Sequence, residues 1–199
     1  VFIPLAEKWG LIKDLGRWAL EQACRQRKIW KDDGLADCRV AINVSAYQFD
    51  DDNFISTLKQ VLKATGLSPN DIELEITESL LMENSAQTAN MLESLTKMGI
   101  PLSLDDFGTG YSSLAYLKNL PINSLKVDKS FIDNITRDDK DKAIVSAIVN
   151  MSKVLGYHVV CEGIETEEQH NFLKSVHCDI AQGYFTGRPV SGEEFTHLY

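Results

Sequence analysis

The chain repeats a unit in which a short apolar run, rich in strand-forming residues, ends in a polar residue and is followed by a helical stretch. The length and composition of each run are typical of a β-strand. Strands that alternate with helices predict an α/β fold with parallel strands and right-handed crossovers. The six runs cover residues 39–46, 72–78, 101–107, 124–131, 157–164 and 179–185.

The helical stretches place apolar residues three and four positions apart, so that one face of each helix packs on the core. The opening segment, residues 5–30, shows this spacing and is predicted to form a helix. Gly99 and Gly156 follow two other predicted helices, where a left-handed residue commonly ends the helix. Thr166 and Ser191 each stand three residues before Gln or Glu, which predicts capping boxes at two later helices.

Two architectures fit this alternation, an open doubly wound sheet and a closed eightfold barrel. An open sheet gathers ligand groups near one switch point, whereas a barrel takes them from the carboxyl ends of many strands. Each run here ends in a potential metal or phosphate ligand, which favours a TIM-type (β/α)8 barrel. About six strand–helix units are present, so we expect residues 1–199 to be one domain whose N-terminal part is missing. The polar residues are Asn43, Glu75, Asp105, Lys126, Glu162 and Gln182.

The chain is acidic, with a formal net charge of −9 over 199 residues. This charge argues against a nucleic-acid polymer held by a basic surface, and a phosphate-bearing substrate would need local positive charge from a bound cation. No apolar run approaches the roughly 18–20 residues that span a bilayer, so we expect no membrane contact by this domain. Four cysteines without metal-binding spacing indicate a reduced, cytoplasmic domain.

Adjacent acids, Asp105 and Asp106, end one apolar run and precede a loop with two glycines at residues 107–113. The pair could be a turn with solvated acids, and the loop matches neither a Walker loop nor a dinucleotide fingerprint. Asn43 and Glu75 could likewise be an ordinary strand-end amide and a solvent-facing strand residue. As a set, these oxygen ligands suit magnesium or manganese, and an aspartate pair can bridge two ions about 3.5–4 Å apart.

Lys126 and Asp128 are two residues apart, which predicts that they share one face of a strand. Lys126 lies between Leu125 and Val127, and a lysine buried beside carboxylates could hold an attacking water or a phosphate oxygen. Glu162 follows another apolar strand and could act as the base for that water or order it through a metal. The alternative for Glu162 is a structural ion pair.

Seven motifs in a fixed order make the chain resemble EAL domains along essentially its whole length. They are Phe2 to Glu7 (FIPLAE), Asn43 to Ser45 (NVS), Glu75 to Glu78 (EITE), Asp105 to Leu114 (DDFGTGYSSL), Lys126 to Asp128 (KVD), Glu162 to Glu165 (EGIE) and Gln182 to Tyr184 (QGY). The resemblance implies a barrel that linearises cyclic di-GMP to pGpG with magnesium or manganese, in bacterial signal transduction and biofilm regulation.

The resemblance also assigns roles to single residues. Asn43, Glu75 and Asp105 match metal ligands of the family, and Asp106 matches the ligand of a second metal. Further matches are Lys126 for the lysine that orients the water, with Asp128 beside it, and Glu162 for the general base. Gln182 matches a substrate-site glutamine, and Glu78 matches a residue that stabilises the loop after Asp106 and joins the dimer interface.

The chain departs from the family pattern at three places. Cys161 stands where the family usually has Ala, and Lys129 stands where it usually has Arg. The Glu-Ala-Leu motif would lie before Val1, so we expect residues 1–199 alone to be poorly active and prone to self-association. A degenerate module that binds cyclic di-GMP or a partner protein without cleavage stays an alternative, as does an unrelated magnesium barrel.

The resemblance also predicts partners for the protein that carries this domain. We expect a homodimer, together with a fused sensor or GGDEF domain. The domain itself is expected in the cytoplasm, although the parent protein could be anchored to a membrane.

Overall fold

The computed structural model describes residues 2–35, 37–82, 86–110 and 117–198. Contacts between Cα atoms divide the chain into two compact units, Val1–Leu102 with Ser191–Tyr199, and Ser103–Val190. Residues 111–113 of the predicted glycine-containing loop lie outside the described residues. Within the described part of the chain, no helix is long and apolar enough to cross a membrane.

The first unit contains two parallel strands and most of the helices. Its strands are β1 (Val40–Val44) and β2 (Ile72–Thr77), which pair in parallel with Asn43 opposite Glu75. A short 3₁₀ turn, Pro69–Asp71, leads into β2. The helices are α1 (Ile3–Lys8), α2 (Ile12–Asp32), α3 (Ala46–Phe49), α4 (Phe54–Thr65), α5 (Glu78–Met82), α6 (Ala86–Met98) and, near the C-terminus, α10 (Gly192–Leu198). Leu58, Ile72 and Leu95 are fully buried and form part of the core of this unit.

The opening segment forms two helices, so the prediction of a single helix over residues 5–30 is wrong. Helix α1 ends at Lys8 and α2 begins at Ile12. Gly10 lies between them with φ of 72°, a left-handed conformation that stops an α-helix and that glycine adopts without strain.

A buried ionic cluster ties α2 to the turn before β2. Arg27 is 1% exposed and donates through Nη2 to Asp71 Oδ1 at 2.8 Å, while Lys31 Nζ lies 2.7 Å from Oδ2. Ser68 donates its backbone N–H to Oδ2 at 2.7 Å and its hydroxyl at 2.8 Å. Burial by itself would raise the pKa of Asp71, but the bonds from Lys31 and Ser68 lower it to about 2.

The second unit is a run of parallel strands with intervening helices. Its elements are β3 (Leu102–Phe107), β4 (Ser124–Val127), α7 (Lys129–Ile132), α8 (Asp139–Leu155), β5 (His158–Cys161), α9 (Glu167–Ser175) and β6 (Ile180–Ala181). Strand β4 pairs with β3 and β5, and β5 also pairs with β6, all in parallel. The strand residues Leu125, Val127 and Val159 are fully buried, as expected for strands covered by helices, and so is Val145 of α8.

Several predicted strands end earlier than their apolar runs. The strand in the run at 124–131 stops at Val127 because Asp128 is the N-cap of α7, where its carboxylate accepts the backbone N–H of Ser130 at 3.0 Å. The expectation that Lys126 and Asp128 share a strand face is therefore wrong. The predicted capping boxes at Thr166 and Ser191 are confirmed, because each side chain accepts the N–H of the residue three positions later at 3.2 Å.

Candidate active site

Two site candidates in the first unit lie side by side on neighbouring strands. Asn43 in β1 is the register partner of Glu75 in β2. Asn43 alternates with the buried residues Ile42 and Val44, so its amide is solvent-exposed, whereas Glu75 is 9% exposed. The two parallel strands thus carry an amide and a carboxylate at neighbouring positions of the same register pair.

Asp105 and Asp106 lie in a β-bulge near the end of β3. Leu104 pairs with Leu125 and Phe107 with Val127, so two aspartates stand opposite the single residue between those partners. Asp106 has φ of 55°, a left-handed conformation that aspartate tolerates better than most residues. Its backbone N–H donates to Asp105 Oδ1 at 3.0 Å. The bulge interrupts the regular alternation of side-chain directions along β3 and so changes the directions of the two aspartate side chains.

Lys126, the residue opposite this bulge, joins two carboxylates through its ammonium group. Its Nζ lies 3.1 Å from Asp105 Oδ1 and 2.7 Å from Glu162 Oε1. The Lys126 side chain is 8% exposed, that of Asp105 13% and that of Glu162 23%. Charge-assisted bonds at these lengths hold side chains in defined positions, and partial exposure of Glu162 leaves it open to solvent. Three sequence candidates from three strand ends are therefore brought together.

More negative than positive side chains act on Asp106. Partial desolvation raises the pKa of its carboxyl, and the charges of Asp105, Asp128 and Glu162 raise it further, while Lys126 opposes them. Asp128 therefore acts on Asp106 electrostatically, although its own carboxylate caps α7. Among the described residues, no group of three or more His, Cys, Asp or Glu side chains is arranged to hold a metal ion.

Glu162 and Gln182 line a cavity of about 260 Å³ together with Tyr184. Lys129 and Glu165 also line it, and Lys129 Nζ donates to Glu165 Oε1 at 2.8 Å. Gln182 is fixed through its backbone, which donates to the carbonyl of Cys161 and accepts from the N–H of Ile164. Spacing along the sequence identified Glu162 and Gln182, but it did not identify Lys129 as a residue of this cavity.

Glu78 is 2% exposed and is the first residue of α5, directly after β2. The loop that it is expected to stabilise includes residues 111–113, which lie outside the described part of the chain. Its role, like the metal and catalytic roles of the other site candidates, stays a prediction.

Gly183 in this cavity has no room for a side chain. A Cβ at this position would lie 2.2 Å from the carbonyl oxygen and 2.3 Å from the backbone nitrogen of Ile164. We expect Gly183→Ala to reduce the free energy of unfolding by about 1–3 kcal/mol, because backbone atoms cannot move aside cheaply. Gly187→Ala is the matched control, since its Cβ would meet no atom within 4 Å. Urea unfolding of both variants checks this, and equal stabilities would contradict it.

Comparison of sequences relates the chain to known signalling proteins. It is 46% identical over 193 residues to the bifunctional diguanylate cyclase/cyclic di-GMP phosphodiesterase MucR of Pseudomonas aeruginosa. The aligned region covers 97% of this chain and 28% of MucR. The chain is 43% identical over 201 residues to the cyclic di-GMP phosphodiesterase NbdA of the same species, covering 100% of the chain and 26% of NbdA. The chain thus spans about a quarter of the length of these relatives.

Solved structures agree with the sequence comparison. The MucR phosphodiesterase in complex with c-di-GMP matches with a TM-score of 0.94 and 45% identity, over 98% of this chain and 78% of that chain. BlrP1 of Klebsiella pneumoniae, in a manganese/cy-diGMP complex, matches with a TM-score of 0.80 and 30% identity, over 90% of this chain and 46% of the BlrP1 chain.

These matches confirm the predicted fold class, because the structural neighbours are EAL domains and their fold is of the TIM-barrel type. The family model described as "EAL domain" matches residues 1–189. The motifs at the strand ends, the parallel strands and these comparisons lead to one conclusion: the chain belongs to the EAL domain family.

Proposed function

We propose that this chain is the catalytic module of a metal-dependent phosphodiesterase that hydrolyses cyclic di-GMP to linear pGpG. The observation that carries the proposal is the position of Lys126, whose ammonium bridges Asp105 and Glu162 at 3.1 and 2.7 Å. The relatives named as cyclic di-GMP phosphodiesterases and the MucR complex with c-di-GMP support the choice of substrate.

The donor set of this chain fits a hard divalent cation. The charges of three other carboxylates act on Asp106, so an added positive charge would relieve their repulsion. Magnesium and manganese prefer oxygen ligands of this kind, and the manganese complex of BlrP1 supports such an assignment. We carry over from the EAL family the assignment of two ions, with ligands at the matching residues Asn43, Glu75, Asp105 and Asp106. When bound, they would supply positive charge for the phosphate oxygens and the developing alkoxide.

The residues around Lys126 account for the proton and charge movements of hydrolysis. Glu162 accepts a proton from the attacking water, and its partial exposure allows water to reach its carboxylate. Lys126 donates hydrogen bonds to the water or to a phosphate oxygen, and its two carboxylate partners fix its direction. The water oxygen forms a bond to phosphorus while the bond to the ribose 3′ oxygen breaks, and this oxygen takes up a proton. The product is a linear dinucleotide with a 5′ phosphate.

Gln182 and Asp128 are proposed to contact the substrate. Gln182 lines the cavity next to Glu162, where its amide can both donate and accept hydrogen bonds. Asp128 lies close enough to Asp106 for its negative charge to raise the pKa of the Asp106 carboxyl. Both positions adjoin the carboxylates that carry out the proposed chemistry.

The setting of the domain is part of the same proposal. We assign a cytoplasmic location, a homodimer, and a fused sensor or GGDEF domain in the protein that carries it. The relatives support the fusion, since MucR is named as bifunctional, and DosP of Escherichia coli, 38% identical over 193 residues, is named as an oxygen sensor. The chain covers 24% of DosP.

Metal removal tests the proposed function. We expect excess EDTA to abolish conversion of cyclic di-GMP to pGpG, and magnesium or manganese to restore it, because the proposed ligands are all oxygen atoms. Chromatography of the nucleotides measures turnover, and calorimetry in parallel measures cyclic di-GMP binding. Full turnover in EDTA would contradict metal dependence. Binding without turnover in saturating metal would favour the non-cleaving module.

A further inference from the structure

Cys178 is placed by the turn that ends α9. His177 donates its N–H to the carbonyl of Lys174 and Cys178 donates to that of Leu173, both at 3.0 Å, which is the bonding of a Schellman motif. His177 has φ of 58°, so the chain reverses into the left-handed region without a glycine. This turn brings the side chain of Cys178 back against the end of β5.

The sulfur atoms of Cys178 and Cys161 lie 3.4 Å apart, although the residues are 17 positions apart in sequence. Cys161 is the last residue of β5 and is fully buried, whereas Cys178 is only partly buried. A disulfide bond is about 2.05 Å long, so the sulfurs need to approach by only about 1.3 Å to form one. Side-chain rotations, together with a small movement of the backbone at Cys161, can provide such a shift.

The two thiols differ in their readiness to ionise. The hydrogen bond between the sulfurs raises the pKa of Cys161, and burial raises it further. The same hydrogen bond lowers the pKa of Cys178. Cys178, the more accessible thiol, therefore supplies the thiolate, and Cys161 remains protonated until it reacts.

We propose that Cys161 and Cys178 form a redox-modification site, which a peroxide converts into an intramolecular disulfide. The Cys178 thiolate attacks one peroxide oxygen and becomes a sulfenic acid, while the other oxygen leaves as water after taking up a proton. The Cys161 sulfur then attacks the Cys178 sulfur, the S–O bond breaks, and the thiol proton leaves with the hydroxide as water. Two thiols and one hydrogen peroxide thus give one disulfide and two waters.

The disulfide would act on groups beside the proposed catalytic residues. Glu162 directly follows Cys161, and the carbonyl of Cys161 accepts the backbone N–H of Gln182 at 2.9 Å. A covalent bond at Cys161 therefore moves the segments that hold both residues. Because a misplacement near 1 Å can cost about 100-fold in rate, we expect oxidation to reduce turnover about 10-fold to 100-fold. This consequence rests on the proposed function, whereas the disulfide itself does not.

Thiol counting tests the disulfide. The Cys38→Ala variant removes the other partly exposed cysteine and leaves three thiols. We expect treatment with hydrogen peroxide, followed by alkylation in denaturant, to leave one free thiol, and peptide mass spectrometry to find Cys161 joined to Cys178. Adding Cys161→Ala or Cys178→Ala should abolish the cross-link. Three free thiols after treatment, or sulfinic acid at Cys178 with Cys161 still free, would overturn the proposal.

Turnover measured on the same samples tests the consequence. We expect reduced protein to cleave cyclic di-GMP, oxidised protein to do so 10-fold to 100-fold more slowly, and a dithiol reductant to restore the rate. Cys161→Ala should keep its rate after peroxide. Cross-linked protein with unchanged turnover would overturn the regulatory role alone. If the protein that carries this domain is inactive in its reduced state, the proposed function is contradicted, while the mapped disulfide would still stand.

Discussion

Replacing Lys126 by Met is expected to slow cyclic di-GMP hydrolysis by about 100-fold to 1,000-fold without lowering metal affinity. Met keeps the length and the apolar stem of this side chain, which is 8% exposed, but removes the charge that bridges Asp105 and Glu162. The developing charge of the transition state then loses a positioned donor. Steady-state turnover and metal titration measure the two effects, with exposed Lys153→Met as the matched control.

Asp105→Asn should behave differently from Lys126→Met. A neutral amide is a weaker ligand for a hard cation than a carboxylate, so both metal affinity and turnover should fall. Equal losses of metal affinity in the two variants would show that the role assigned to Lys126 is wrong.

Asp71→Ala is expected to lower the free energy of unfolding by about 3–5 kcal/mol, because it leaves a guanidinium in the interior without its carboxylate. Arg27 is 1% exposed and Asp71 accepts bonds from Arg27, Lys31 and Ser68. Glu93→Ala is the matched control, since the Glu93–Lys97 pair is 62% and 71% exposed and should contribute less than about 1 kcal/mol. Denaturant unfolding compares them, and similar losses would contradict a buried cluster.

The same cluster has a defined dependence on pH. The pKa of Asp71 is lowered from 3.8 to about 2 on folding, so its contribution is fully present above pH 4 and is lost as the pH falls towards 2. This lowering of the Asp71 pKa corresponds to about 2 kcal/mol of folding free energy at neutral pH. Asp71→Ala should remove this part of the acid sensitivity, which unfolding measurements between pH 4 and pH 2 would detect.

The sequence predicted the location of the six strands found in the described part of the chain, because buried apolar runs are visible without knowledge of tertiary structure. It did not predict α3, α5 or α7, which have four or five residues and are too short to show a helical period. It also overestimated β6, whose run at 179–185 contains apolar Tyr184 and Phe185. The strand itself ends at Ala181.

Site residues were easier to predict than their contacts. The polar residues at strand ends identify Asp105, Lys126 and Glu162 as candidates, and burial beside carboxylates was expected for the lysine. The distances of 3.1 and 2.7 Å depend on the bulge in β3 and on the register of β4, which no local pattern encodes. The contact of Cys161 with Cys178 likewise depends on the turn after α9, so spacing along the chain could not indicate it.

The left-handed backbone of Asp106 limits how this position can evolve. With φ of 55°, most side chains would cost roughly 1–2 kcal/mol, whereas Asn and Gly fit the same conformation. A single nucleotide change converts an aspartate codon into an asparagine or a glycine codon. The substitutions that the loop tolerates best are therefore also one mutational step away, and they remove the carboxylate while preserving the fold. A lineage could lose the acid here without passing through an unstable intermediate, and natural Asn variants, which keep the shape of the side chain, would isolate the effect of charge.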